Sequence, residues 1–91
     1  MADALTVGAI LRVPDDRIGE TVVDELFDAA TAAEYARTHP VAARCERIVG
    51  RDPGDNLIVV AGGVFCYWEH ETDRLIPLGE NPDHFVALVP S

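Results

Sequence analysis

The sequence predicts a small single α+β domain: an antiparallel sheet of four to five short strands, one main helix and a short C-terminal helix. Three observations predict it. The 91 residues suffice for one hydrophobic core and not two, so residues 1–91 form one domain. Prolines at 14, 40, 53, 77, 82 and 90 fall singly and cut the chain into short segments, with no repeat, low-complexity stretch or linker. Between them, β-branched apolar runs meet glycine-bearing turns, while alanine concentrates in one stretch after Asp28.

Leu5, Val7, Ala9, Leu11 and Val13 alternate with Thr6, Gly8, Ile10 and Arg12, a period of two that Gly8 and Ile10 weaken, which predicts a first strand ended by Pro14. Pro14-Asp15-Asp16 then reads as a turn. Residues 21–38 admit two readings. In one, a single helix starts at Thr21 and buries Val22, Val23, Leu26, Phe27, Ala30 and Ala33. In the other, Thr21 to Phe27 is a strand, Asp28 is an N-cap and the helix runs from Ala29 to Arg37. Both stop it before His39-Pro40, because a residue preceding proline disfavours the α region.

Residues 41–49 fit a helical spacing too, but Arg44 to Val49 followed by Asp52-Pro53-Gly54-Asp55-Asn56 favours a strand and a type II turn with Gly54 at positive φ. Leu57 to Ala61 and Val64 to Trp68 form a hairpin through Gly62-Gly63. That register pairs Ala61 with Val64, Val60 with Phe65, Val59 with Cys66, Ile58 with Tyr67 and Leu57 with Trp68. Both of its faces are apolar, so it needs cover on both sides. A turn at Thr72-Asp73 sets Glu71 opposite Arg74, and Leu75 to Leu78 is an edge strand because Pro77 cannot donate to a ladder. Asn81 and Pro82 open the C-terminal helix carrying Phe85, Leu88 and Val89; a final strand is the alternative, since Val86 and Val89 are β-branched.

Apolar residues make up 48% and charged residues 25% of the chain, which excludes a disordered tail. The charge is unbalanced: 16 acids against 7 bases, net −9, and every base is arginine. A surface that binds nucleic acid directly, or docks on an anionic membrane, is normally basic, so neither partner is expected. The uncharged run Leu57 to Trp68 falls short of the roughly 18–20 apolar residues of a membrane span. Met1-Ala2-Asp3 lacks the basic start of a secretory leader, so a cytoplasmic location is expected, with Cys45 and Cys66 reduced. The acids form two blocks, residues 15–34 and 69–83, on either side of an arginine-rich block, residues 35–51.

No set of residues assembles a familiar reaction centre. His39, Cys45, Cys66, His70 and His84 are spaced 6, 21, 4 and 14 apart, which matches no common zinc module. Cys66 sits among apolar residues that suppress a thiolate, and Cys45 between Arg44 and Arg47 lacks an orienting third residue. Gly62-Gly63 lacks the surroundings of a phosphate loop. Residues 64–88 resemble in outline the closing hairpin and helix of one family of immunity proteins, without that family's glycine-rich and Leu-Pro signatures; no family is assigned on that order of elements.

The expected function is therefore that of a small, acidic, non-enzymatic binding protein without a cofactor or metal. It would act as an inhibitor or an immunity or anti-defence protein that occludes a basic site on a partner protein. The candidate contact residues are Asp24, Glu25, Asp28, Glu69 and Glu71 for charge, with Tyr67 and Trp68 as aromatic anchors; core packing is the alternative for both, and Trp68 fits a core equally well. Two alternatives stand beside it. One is a structural homo-oligomer, such as a homodimer through the 57–68 hairpin. The other is a small metal protein or enzyme built on the Cys/His set.

Overall fold

The computed structural model describes residues 5–90; the acidic opening Met1-Ala2-Asp3 lies outside them. Among the described residues, eight strands form two antiparallel sheets. Strands β1 (Ile10–Val13), β2 (Gly19–Val22) and β8 (Val86–Leu88) make a three-stranded sheet in the order β2-β1-β8. Strands β3 (Glu25–Leu26), β4 (Arg47–Arg51), β5 (Leu57–Ala61), β6 (Val64–Glu69) and β7 (Arg74–Gly79) make the larger sheet in chain order. One helix, α1 (Ala29–Thr38), and two single 3₁₀ turns, Pro40–Arg44 and Pro82–His84, complete the described chain. None of the helices among the described residues is long and apolar enough to cross a membrane.

The larger sheet is the middle layer. Leu57, Val59, Cys66 and Trp68 point one way, into a cluster with Val41, Ile48, Phe27 and Tyr35 beneath α1. Ile58 and Phe65 point the other way, against Leu5, Ala9, Leu11, Val23 and Phe85 of the smaller sheet and its flanks. Tyr67 joins Val13 and Ile76 on that same side. Every pair expected of the 57–68 hairpin is present, and the cover that its two faces need comes from within the chain. Leu57, Ile58 and Val59 are fully buried, each contributing about 1.5–3 kcal/mol of transfer free energy. The two-residue loop takes φ of 62° and 77° at Gly62 and Gly63, the mirror-image turn that matches strand twist.

Of the two readings of residues 21–38, the second holds. Asp28 caps α1, its side chain accepting from the Thr31 N–H at 2.8 Å, and the helix stops at Thr38. Valines 22 and 23 serve the smaller sheet and its core instead. The first strand is shorter than its alternation implies. Gly8 adopts φ +91° and donates to Val23 O, so the strand starts at Ile10 and Val7 is left exposed. Residues 41–49 divide: proline at 40 starts a 3₁₀ turn, and the strand begins only at Arg47.

The β4–β5 turn is not type II, because positive φ falls on Asp55 (64°) and not on Gly54. Asp52 dictates this: its Oδ1 accepts from the N–H groups of Gly54 (2.9 Å) and Asn56 (3.0 Å), winding the loop around the carboxylate. At the next turn Arg74 stands opposite Glu69, not Glu71, and residues 70–73 form the loop, with Asp73 at φ 57°. Pro77 does lie on an edge strand. The C-terminal helix is reduced to the 3₁₀ turn Pro82–His84, capped by Asn81, after which the chain enters β8. Phe85 is buried against the middle sheet, while Leu88 and Val89 are exposed and do not share its packing.

Among the described residues, Asp52 is the one buried acid, 4% exposed. Besides the turn amides it accepts from Tyr67 Oη at 2.5 Å on β6 and from Thr21 Oγ1 at 2.8 Å on β2. Burial and the neighbouring carboxylate push the Tyr67 phenol well above its ordinary pKa, so it remains a donor. Replacing Asp52 by alanine orphans these donors and is expected to cost about 3–5 kcal/mol in urea unfolding, against about 1–2 kcal/mol for Tyr67→Phe. Equal losses for the two variants would show that the carboxylate does no more than hold the phenol.

Candidate functional site

Hydrogen-bonded pairing across the larger sheet defines one end of the molecule. Glu25, Arg51, Leu57, Trp68 and Leu75 follow one another in register across its five strands. The loops 14–18, 52–56 and 70–73 gather beyond that row, and Arg74 ties the first to the β6–β7 hairpin, its Nη2 lying 2.6 Å from Asp15 and 3.1 Å from Glu69. The C-terminal end of α1 reaches the same place. Between it and the loops lies an open groove of about 600 Å³, lined by Glu34, Tyr35, His39, Asp55, Trp68 and His70 among others.

Aromatic packing shapes the groove. Phe27, Tyr35 and His39 stack successively, with centroids 4.3 and 5.1 Å apart. His39 meets the Trp68 ring edge-on at 5.8 Å, and His70 tilts against Trp68 at 6.4 Å. Tyr35 and His39 are four residues apart, so the helix itself places one ring above the other. Both imidazoles are oriented by fixed partners. His39 Nδ1 lies 3.0 Å from the Tyr35 carbonyl oxygen. His70 Nδ1 lies 2.8 Å from Asn56 Oδ1, an oxygen that also accepts the His70 backbone N–H at 3.0 Å. A carbonyl oxygen only accepts, so a neutral His70 ring carries its proton on Nδ1 and leaves Nε2 as an acceptor, whereas His39 Nδ1 also lies 2.9 Å from the Thr38 hydroxyl, which can donate to it.

Of the residues expected to contact a partner, Asp24, Glu25, Tyr67, Trp68, Glu69 and Glu71 lie toward this end of the sheet, with Asp24 and Glu25 at its β3 edge, the others at β6 and its loop, and Tyr67 and Trp68 on opposite faces; Asp28 caps α1 at the helix's far end. Their surroundings differ from the expected free surface. Asp24 and Glu25 grip Arg51 at 2.9 and 3.0 Å. Glu69 accepts from Thr72 and Arg74. Tyr67 is buried on Asp52, and Trp68, 5% exposed, donates its indole N–H to Asp73 at 2.7 Å. Asp73 also receives Arg44. Glu71 is exposed, and no cation among the described residues pairs with it. The arginine-rich block is largely engaged in these contacts. Among the described residues only Arg12 and Arg47 make no ion pair.

Sequence reasoning missed His39, Tyr35, Asn56 and Asp52 as builders of the groove. The i, i+4 aromatic pair at a helix end, and an aspartate four residues before an asparagine around Pro-Gly, were the available signals. It also missed Glu46, whose two carboxylate oxygens each accept a hairpin amide, from Gly62 and Gly63, at 2.8 Å. Both thiols are pushed up chiefly by burial, which disfavours a nucleophilic thiolate. No group of three or more metal-ligating side chains converges among the described residues.

Four carboxylates are held below their ordinary values: Asp15 by Arg74, Asp28 by the Thr31 N–H, Glu46 by the N–H groups of Gly63 and Gly62, and Glu69 by Thr72 and Arg74. A depressed carboxyl stabilises the fold fully above its ordinary value, 4.5 for Glu46, and loses that contribution as pH falls through the lowered one. Stability is therefore expected to decline on acidification from about pH 5, and Glu46→Gln to flatten that decline in a series of thermal unfolding curves. An unchanged slope would mean that the carboxylate on the hairpin amides is not linked to folding.

No protein-family model, curated protein or solved structure matches this chain, so its site is defined by its own geometry alone.

Proposed function

We propose that the chain is a non-enzymatic binding domain whose acidic loop end docks on a basic surface of a partner protein, in the manner of an inhibitor or an immunity or anti-defence protein. The observation that carries this reading is the disposition of charge. Five of the seven arginines are engaged in internal ion pairs. Asp16 and Glu71 stand exposed on neighbouring loops at the groove end, with no cation among the described residues to pair with them; Glu20, Glu80 and Asp83 are likewise exposed and unpaired but lie away from the groove. Carboxylates already bound to arginine add little attraction, whereas uncompensated ones steer a cationic partner and set the salt dependence of its approach.

A catalytic role finds less support. The one buried carboxylate among the described residues, Asp52, is saturated by hydroxyl and amide donors, and the cysteines favour the protonated thiol. The homo-oligomer reading rests on a hairpin needing outside cover, and that cover is intramolecular. A cytoplasmic setting fits two free thiols.

Charge reversal must spare the residues that hold the fold. Asp24, Glu25 and Asp28 are unsuitable for this reason. The informative variant is Asp16→Lys with Glu71→Lys, compared with Glu80→Lys and Asp83→Lys beyond the opposite end of β7. Tagged protein is used to capture partners from its native source at low and high salt. The expected result is a salt-sensitive partner retained by wild type and the control and lost from the loop-end variant, with association slowed about tenfold or more. A partner retained equally by both variants would overturn the docking face.

A further inference from the structure

The groove has a polar character of one kind. His70 offers Nε2 as an acceptor, because its Nδ1 is committed to the Asn56 side-chain oxygen, and the Thr38 hydroxyl in the lining is turned to Glu34 O, Tyr35 O and His39 Nδ1. Glu34 and Asp55 add carboxylates whose side chains are 73% and 71% exposed. Their contacts with Arg37 and Arg51 are long, 3.7 and 3.6 Å, so each has acceptor capacity to spare. Tyr35, whose ring lies between those of Phe27 and His39, adds an aromatic edge, and Trp68 is 5% exposed. Among the described residues, no arginine lines the groove. A guanidinium group is the complement of such a lining. It carries five N–H donors and no acceptor, set in a planar fork that reaches several acceptors at once, which a compact ammonium does not.

We propose that the groove receives a single arginine side chain presented by the partner protein, with its N–H groups directed to Glu34, Asp55 and the His70 Nε2 atom. This assigns a specificity pocket to the loop-end docking surface and rests on that reading, yet it is separable from it. Asp16 and Glu71 do not line the groove.

The probe is acetyl-Gly-Arg-Gly-amide, titrated into the intact protein while the ring signals of His39, Trp68 and His70 are followed by NMR. The neutral isostere, with citrulline in place of arginine, is the control. Saturable, millimolar shifts of these ring signals with the arginine peptide alone are expected. Glu34→Gln with Asp55→Asn should weaken them about five- to tenfold, and Asp16→Lys with Glu71→Lys should preserve the locality of the shifts. No saturable shift, an equal response to the citrulline peptide, or full binding by the Glu34→Gln/Asp55→Asn protein would each overturn the pocket. If partner capture depends on Asp16 and Glu71 while the peptide fails to bind, the pocket is wrong and the docking face stands. If the peptide binds as expected while partner capture ignores Asp16 and Glu71, the pocket stands and the docking face is wrong.

Discussion

A single buried carboxylate, Asp52, underlies the arrangement. It reaches across the layers to Thr21 on the smaller sheet and Tyr67 on the middle one, and it winds its own turn by accepting two backbone amides. Its Oδ2 also lies 3.4 Å from the Asn56 side-chain nitrogen, which turns the Asn56 oxygen toward His70. The same group therefore registers the two sheets and orients one wall of the groove. A buried anion left unpaired is strongly destabilising, and here the donors come from separate parts of the chain. The acid is tolerated only when the whole domain is assembled around it.

Arginine does the corresponding work at the surface. Arg51 joins the β2–β3 connection and β3 to the end of β4, and Arg74 joins the β1–β2 turn to the β6–β7 hairpin. Each contacts more than one acid, which suits a forked guanidinium better than a point charge. The chain carries seven arginines and no lysine, and five of the seven make ion pairs. The acidic excess is therefore not spread as a uniform shell. What the clamps leave over are exposed carboxylates with neither an ion pair nor a bonded backbone amide, Asp16, Glu20, Glu71, Glu80 and Asp83 among the described residues.

Much of the fold was legible because local rules acted without competition. The Gly62-Gly63 hairpin, with apolar partners on both strands, fixed its register completely. Asp28 before an alanine-rich run marked the true start of the helix. Legibility failed where one residue redirected the backbone. Gly8 cut the first strand, and Asp52 moved the positive φ from Gly54 to Asp55. The site was legible only in part. Its acids were visible in sequence, but their pairing with distant arginines was not, since Glu25 and Arg51 lie 26 residues apart. Tyr67 and Trp68 proved to be core residues with polar tips, the reading that period-2 alternation alone could not separate from anchors at an interface.

The layering has a dynamic consequence. Strand β5 is central, bonded on both edges and covered on both faces, so its amides exchange with solvent only when the domain opens globally. Helix α1 buries no residue completely, and its exchange proceeds by local opening at lower free energy. The groove thus has one rigid wall and one compliant wall. The Trp68 side is held by the slowest-exchanging part of the molecule, while the Tyr35–His39 side can shift to fit what enters without disturbing the sheets.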